Sequence, residues 1–256
     1  SASRVGNHYI VNGQKTWTTL GQHANMIFCL VRTSTKGKPQ EGISFLLIDM
    51  NSDGIEVRPL RTIDGEHEIN EVFLTNVKVP IENLVGEENK GWTYAKYLLA
   101  HERTGIANVG LSKRRIGELK QLASETKKDG KPLIQDPIFA ARVAKTEIDL
   151  ANLEITNLRI LSRAQAGGSP GPESSILKIL GSEIGQEIDS LTRRALGRRA
   201  TIHVPNILDY GYNGPNISPI ITATAAGVYF NNRKTSIYGG SNEIQKNIIS
   251  KAVLEL

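Results

Sequence analysis

The stretch Gly91–Ala123, GWTYAKYLLAHERTGIANVGLSKRRIGELKQLA, decides how the chain is organised. Six apolar residues in it recur at helical intervals and predict one long helix with a single apolar stripe: Ala95, Leu98, Leu99, Ile106, Val109 and Ile116. Strand patterns precede this helix, and helical patterns follow it. We therefore predict an antiparallel β domain over residues 1–90 and a helical domain over residues 91–256.

Glu102 interrupts this apolar stripe. It lies four residues from both Leu98 and Ile106. Its neighbours at three residues are Leu99 and Gly105, so no cation lies within reach along its own helix face. Burial penalises the charged form of a carboxyl group and raises its pKa, which suits a general base near neutral pH. The alternative is a glutamate that pairs with another element or projects at the helix edge.

The first third of the chain reads as short strands separated by turn residues. A hairpin is predicted at Asn12-Gly13, where Tyr9–Val11 would turn back into Gln14–Thr19. Four further strands are predicted over residues 26–33, 43–49, 55–60 and 71–79. Consecutive strands without an intervening helix indicate an antiparallel β-sandwich or barrel.

The remainder has the helical period. Beyond the first long helix, four more are predicted over residues 137–166, 172–196, 220–231 and 241–256, with an irregular loop over 197–219. Such a succession is typical of a bundle of four or five antiparallel helices. The fold class is therefore a β-sandwich or barrel domain followed by a four-helix-bundle domain.

The composition excludes several classes of protein. No apolar run approaches the roughly 18 residues of a membrane span, and no export leader is evident. The net charge is +5, but no nucleic-acid-binding motif occurs, so nucleic acid is not an expected partner. The only cysteine, Cys29, lies in an apolar run and predicts a buried strand thiol in a reducing compartment. The five histidines are scattered, so no metal site is expected.

Two short motifs could contact a ligand. Trp17-Thr18-Thr19 offers a ring and two hydroxyls, which can cover a flat heterocycle and hydrogen-bond its edge. The alternative is a tryptophan packed between sheets. The stretch Tyr238–Glu243, YGGSNE, combines two glycines with Ser241 as a helix cap and can bind an anion or polar heterocycle. Its alternative is an ordinary helix start after a loop.

Four segments resemble the acyl-CoA dehydrogenase family, in family order and over nearly the whole chain: HYIVNGQKTWTT (8–19), EVFLTNVKVPIENLVGEENKGW (71–92), HERTGIANVG (101–110) and IYGGSNEIQKNIISKAVLEL (237–256). Within the family, the pattern is most similar to large subunits of the pimeloyl-CoA type, which pair with a divergent small subunit. The resemblance implies an N-terminal helical domain, a middle β domain and a C-terminal helical domain. This chain would lack the first domain and the opening of the second.

The resemblance implies FAD-dependent α,β-dehydrogenation of an acyl-CoA thioester, as in fatty-acid β-oxidation. A carboxylate would remove the α-proton while the β-hydrogen leaves as hydride to the flavin, and hydrogen bonds would polarise the thioester carbonyl. It also implies electron-transfer flavoprotein or a similar acceptor as a partner. We expect a cytoplasmic, bacterial protein.

The family motifs also assign the catalytic base. Many members carry it directly after the tyrosine of the terminal turn, where this chain has Gly239, which cannot act as a base. A minority carry a glutamate on the first long helix just before an arginine, and Glu102-Arg103 matches that arrangement. Glu102 is therefore the expected base. A dicarboxylic acyl group would need a cation in the pocket, and Arg103, about a quarter turn from Glu102, is the candidate for this substrate contact.

The cofactor contacts follow from the same motifs. Trp17 and Thr19 match the Trp-x-Thr that lies against the flavin, with the threonine near N5. Ser241 and Glu243 match positions that contact the ribityl and adenylate portions of FAD, although an amide often stands in the place of Glu243.

Two departures from the family pattern concern the contacts lent to a neighbouring subunit's FAD. Thr126 and Asp129 stand where an arginine and a phenylalanine are usual, and ALGRRATIHVPN (195–206) replaces a glycine-rich stretch. We therefore expect a heteromeric assembly in which a small subunit completes the site, and a fragment that can itself be inactive. The alternatives are a non-catalytic scaffold subunit of the same fold and an acyl-CoA oxidase.

Overall fold

The computed structural model describes residues 1–166, 171–215, 217 and 219–256, and the side chains of residues 100–104, 106 and 164 lie outside the described set. The chain forms two compact units, Ser1–Leu99 and Ala100–Leu256. The first unit is built mainly from strands and the second from helices, which is the predicted fold class. The domain division predicted after Lys90 stays a prediction.

The first unit is a sandwich of two antiparallel sheets. Its strands are β1 (Ala2–Val5), β2 (His8–Thr19), β3 (Met26–Arg32), β4 (Ile43–Asp49), β5 (Ile55–Leu60) and β6 (Ile69–Pro80). The larger sheet has the order β1-β2-β6-β5, and β3 pairs with β4 in the smaller one. The strands predicted from residues 26, 43, 55 and 71 onward are thereby confirmed.

The core of this unit lies between the two sheets. Successive side chains of a strand point to opposite faces, so Tyr9 and Val11 share the inner face of β2 and pack with residues of the smaller sheet. Each fully buried aliphatic side chain contributes about 1.5–3 kcal/mol to folding. Cys29 belongs to this core, and burial raises the pKa of its thiol, as expected of a strand residue without a nucleophilic role.

The hairpin predicted at Asn12-Gly13 is wrong. The strand β2 continues through these residues and pairs with β6, with a register shift between Val11 and Gly13. The extra residue of this irregularity lies in β6, and the Asn12 side chain exchanges hydrogen bonds with Asn76 at 2.8 and 3.1 Å. The turn lies earlier, between Val5 and His8, which pair directly. The neighbouring strands explain the difference, because β6 pairs with β2 on both sides of Asn12, and the backbone N–H and C=O of Asn12 itself bond to Ser1.

The second unit is helical. Its elements are α1 (Gly91–Ile106, which begins in the first unit), α2 (Val109–Glu125), α3 (Pro137–Gln165), α4 (Ser174–Leu196), α5 (Ile221–Asn231) and α6 (Asn242–Val253), with a small hairpin of β7 (Lys127–Lys128) and β8 (Lys131–Pro132). The helix α4 is central, because it packs against α2, α3, α5 and α6. Among the described residues, no helix combines the length and apolarity that a membrane span requires.

The single long helix predicted over Gly91–Ala123 is wrong in one respect. It breaks between α1 and α2 at Asn108, whose backbone is left-handed with φ 48°. Asparagine is one of the few residues that adopts this conformation readily. The neighbouring Ala107 is 1% exposed and lies so close to Gly181 of α4 that an added Cβ would be 2.9 Å from its carbonyl oxygen. Tertiary packing therefore decides the break.

Candidate functional site

Trp17 lies near the end of β2 in a backbone conformation unusual for an aromatic residue. Its φ is +65°, and its residue surface is 69% exposed. The ladder between β2 and β6 shifts register between Lys15 and Thr18, so Trp17 occupies a bulge. The left-handed conformation costs roughly 1–2 kcal/mol for a residue with a Cβ. Within the first unit, burial of the Trp17 ring in the core therefore does not offset this backbone strain.

A buried polar network holds the bulge in place. Asn70 of β6 is fully buried, and its amide nitrogen donates to the Thr18 carbonyl at 3.1 Å and to Oε1 of Gln22 at 2.7 Å. Its Oδ1 lies 2.7 Å from Nε2 of His67. Because Asn70 Oδ1 can only accept, His67 must donate from Nε2 in this contact. The network explains how the strained segment persists without packing from the tryptophan.

The bulge presents Trp17 and Thr19 together at the surface. Both side chains are exposed, in contrast to the alternative of a tryptophan packed between sheets. Strained, exposed aromatic residues held by an ordered surround are found at ligand-binding sites. An open indole face with a hydroxyl two residues away fits the edge and face of a flat, polar heterocycle such as a flavin.

The terminal turn forms a second polar surface, in the helical unit. Ser241 is the N-cap of α6, and its side chain accepts a hydrogen bond from the Ile244 N–H at 3.4 Å. The Glu243 carboxylate is exposed, and hydrogen bonds from its own backbone N–H and from the Ser241 hydroxyl lower its pKa. Gly239 and Gly240 are both exposed and have positive φ values of 64° and 80°. A ligand can therefore approach the backbone of this turn closely.

Buried polar side chains hold this turn from beneath. Lys178 of α4 is 0% exposed, and its ammonium donates to Oδ1 of Asn242 at 2.9 Å. The Ser182 hydroxyl lies 3.3 Å from the same oxygen. Burial lowers the pKa of the Lys178 ammonium, and the negative charge of Glu243 offsets part of this effect. The first residue of α6 is thus fixed by two groups of α4.

Gln245 fixes the preceding glycines. It is 1% exposed, and its amide nitrogen donates to the carbonyl oxygens of Gly239 and Gly240 at 3.3 and 3.2 Å. A Cβ added to Gly240 would collide with that amide nitrogen. The conformation of the turn is therefore determined by both its own backbone and the side chain one turn later in α6.

The predicted catalytic base, Glu102, belongs to α1. The side chains of Glu102 and Arg103 lie outside the described residues, so their roles stay predictions. On the same helix, Ala95 is 5% exposed, whereas Leu98 and Leu99 are 43% and 40% exposed. The described part of this chain therefore covers the apolar stripe of α1 only in part.

Three residues of these surroundings were not predicted: Asn70, Lys178 and Gln245. Lys178 stands among apolar residues of α4 in the sequence SSILKILGSEIG, which is the same signal that distinguished Glu102. Gln245 lies within the matched terminal segment but outside the residues assigned to the cofactor. No local pattern marks Asn70, because its partners Thr18 and Gln22 lie about 50 residues away in sequence. Among the described residues, no group of three His, Cys, Asp or Glu side chains could hold a metal ion.

Two family profiles match the chain. The one described as acyl-CoA dehydrogenase, C-terminal domain, matches residues 89–254, and the one described as acyl-CoA dehydrogenase, middle domain, matches residues 1–77. The chain is 29% identical over 263 residues to acyl-CoA dehydrogenase FadE26 of Mycobacterium tuberculosis, covering 100% of this chain and 63% of that protein. The chain thus spans less than two thirds of the length of this relative.

Solved structures are also similar. A chain of the ChsE4–ChsE5 complex from Mycobacterium tuberculosis matches with a TM-score of 0.81 and 30% identity, over 100% of this chain and 64% of that one. An acyl-CoA dehydrogenase from Geobacillus kaustophilus matches with a TM-score of 0.83 and 27% identity, over 100% of this chain and 63% of that one. The middle and C-terminal domain architecture of these proteins is therefore that of the present chain.

We expect Trp17→Ala to change the free energy of unfolding by less than about 0.5 kcal/mol, because an exposed side chain without core contacts adds little to stability. Urea denaturation measures this quantity. Val11→Ala, a truncation in the buried part of the same strand, is the matched control and should lose about 1–3 kcal/mol. A loss for Trp17→Ala as large as that of the control would show that the ring packs in the fold.

Gly240→Ala should destabilise the protein by at least about 1–2 kcal/mol, because alanine is disfavoured at positive φ and its Cβ would collide with the Gln245 amide. Gly117→Ala is the control, since an added Cβ at this exposed position in α2 meets no atom within 4 Å. The control should gain about 0.5–1 kcal/mol from helix propensity. Equal unfolding midpoints for the two variants would contradict the constraint on the turn.

Proposed function

Since the chain belongs to the acyl-CoA dehydrogenase family, we propose that the whole protein catalyses α,β-dehydrogenation of an acyl-CoA thioester with FAD as cofactor. The observation that carries the proposal is the exposed, strained Trp17, which stands beside Thr19 without packing in its own unit. Backbone strain of this kind clusters at active sites and ligand-binding sites. Family membership gives the chemistry, and this surface supports the cofactor.

Four side chains would hold the cofactor. The indole of Trp17 would cover one face of the isoalloxazine ring, and the Thr19 hydroxyl would hydrogen-bond its edge near N5. Ser241 and Glu243, at the start of α6, would contact the ribityl and adenylate portions. Bound FAD supplies the hydride acceptor for the oxidation. The position of Ser241 at a helix N-terminus supports a contact with polar or anionic groups of the cofactor.

Glu102 is the proposed catalytic base. Its carboxylate takes the α-proton of the acyl group, and the electron pair left on the α-carbon is stabilised by hydrogen bonds to the thioester carbonyl. Gly239 supports this assignment, because the position after Tyr238 has no side chain that could accept a proton. Arg103, one residue further on α1, is proposed as a substrate contact. Electron-transfer flavoprotein or a similar acceptor would then reoxidise the enzyme in a bacterial cytoplasm.

Glu102→Gln should lower kcat by about 10²–10⁴-fold, because glutamine cannot accept the α-proton. The full-length protein in its native assembly is assayed anaerobically with acyl-CoA and a dye acceptor, and the flavin absorbance before substrate addition reports cofactor retention. Glu118→Gln is the matched control, since this exposed glutamate pairs only with the nearby Arg114 among the contacts described.

A loss of turnover below about tenfold, with flavin retained, would favour the scaffold alternative. This alternative is supported by Gly239 and by the two departures from the family pattern, at Thr126 and Asp129 and over residues 195–206. Reoxidation of the reduced protein by O₂ as fast as by the dye would instead indicate an acyl-CoA oxidase.

We further propose that the protein is the large subunit of a heteromer. The similarity to a chain of the ChsE4–ChsE5 complex supports this assembly. In the present chain, Thr126 is the C-cap of α2, and Asp129-Gly130 forms the tip of the β7–β8 hairpin with φ values of 52° and 80°. This tight turn stands where relatives present an arginine and a phenylalanine to a neighbouring subunit. A partner of different sequence would therefore supply the missing contacts.

We expect the full-length protein to bind stoichiometric FAD only after co-expression with its small subunit, because its own second copy lacks the complementary contacts. Size-exclusion chromatography with flavin quantification measures assembly and cofactor together. Expression without the small subunit is the control. A purified homotetramer with stoichiometric FAD and full activity would refute the heteromer.

A further inference from the structure

One face of α4 is polar although it is buried. Ser182 and Asp189 are 6% and 3% exposed, and Lys178 is 0% exposed. These residues, with Gln186, recur at three or four positions and therefore lie on one face of the helix. The opposite face carries the apolar residues of the two helical cores. The helix α4 thus separates an apolar interior from a polar layer.

This polar face contacts the C-terminal segment. Gln186 donates to the Asn232 carbonyl at 3.0 Å and lies 3.2 Å from the Thr235 hydroxyl. Asp189 accepts a hydrogen bond from the Asn232 side chain at 2.7 Å and pairs with Arg115 of α2. Further along α4, Lys178 reaches Asn242. The segment from 232 to 242 is therefore held along its length by side chains of α4.

Lys178 is the costly member of this set. Removing an ammonium group from water costs several kcal/mol, and apolar residues of similar size often replace buried charges without loss of stability. Its partner Asn242 is neutral, and the hydrogen bond between them stabilises the fold by a few kcal/mol at most. Removing the ammonium would still leave the Ser182 hydroxyl beside Asn242 Oδ1. Stability alone therefore gives little reason for a lysine at this position.

The placement of Asn242 suggests another reason. It directly follows Ser241, whose hydroxyl caps α6, and directly precedes Glu243. The ammonium of Lys178 restrains Asn242 from the buried side, so that the exposed side of the turn keeps a fixed conformation. We propose that Lys178 is a positioning residue, whose ammonium–Asn242 hydrogen bond holds Ser241 and the preceding glycines in the conformation that binds the cofactor. This inference rests on the proposed function.

The test is a double-mutant cycle on FAD binding by the full-length protein in its native assembly. Lys178→Met, Asn242→Ala and the double variant are stripped of flavin, and FAD titration gives the dissociation constant of each. We expect each single variant to weaken FAD binding at least tenfold. The double variant should be no weaker than the worse single variant, because both changes remove the same contact.

The unfolding of the flavin-free proteins is measured in parallel. Lys178→Met should be as stable as the parent or more stable, because a buried charge has been removed. Weakened FAD binding without lost stability is a result that a merely structural role would not produce. Ser175→Ala is the matched control, since Ser175 is another fully buried polar residue of α4 and its hydroxyl has no partner in the described part of the chain. It should leave FAD binding unchanged.

Two outcomes would overturn the inference. FAD binding within twofold of the parent in Lys178→Met would show that the turn does not need the ammonium. Additive losses in the double variant would show that the two residues act separately. If Lys178→Met does not fold, Lys178→Gln replaces it in the cycle, and the same criteria apply. FAD binding by the parent protein is measured before any variant is made. A parent protein that binds no FAD would refute the proposed function itself.

Discussion

The contact between α4 and the C-terminal segment is the constraint on which the helical unit depends. A central helix normally buries apolar residues on every side that faces protein. Here α4 packs its apolar face against α2 and α3, and uses Lys178, Gln186 and Asp189 to fix the residues that lead into α6. Hydrogen bonds are directional, so this layer defines positions more sharply than apolar packing would. This layer fixes Asn242 at the start of α6, while Gln245 fixes the two glycines of the terminal turn.

In the β unit too, buried hydrogen bonds fix an exposed segment, here the bulge at Trp17. Asn70 is buried in the middle of a polar network and fixes the bulge that presents Trp17. The strain at Trp17 is offset by contacts made by its neighbours rather than by its own ring. In both units, then, a buried polar side chain on a regular element fixes an exposed irregular segment. Rigid support of this kind is what binding sites on loops require.

Much of the architecture could be predicted from local patterns. The strands β3 to β5 and the helices α3 and α6 lie within a few residues of their predicted bounds, because alternation and helical periodicity act over neighbouring residues. The errors have one cause. Asn12-Gly13 carries a strong hairpin signal, but β6 pairs with β2 on both sides of it, and Ser1 bonds to the Asn12 backbone. The stretch around Asn108 reads as helix, but Ala107 packs against Gly181 and the helix breaks.

The sequence by itself determined the family, the order of the elements and the candidate residues Trp17, Thr19 and Ser241. These depend on motifs and periodicities that are local in the chain. Only the tertiary structure decided that Trp17 is exposed and strained, and that Lys178 lies buried beneath the turn of Ser241. Both facts arise from partners more than 50 residues apart in sequence, Asn70 with Thr18 and Lys178 with Asn242. Local patterns carry no record of such pairings, because chain folding alone brings the partners together.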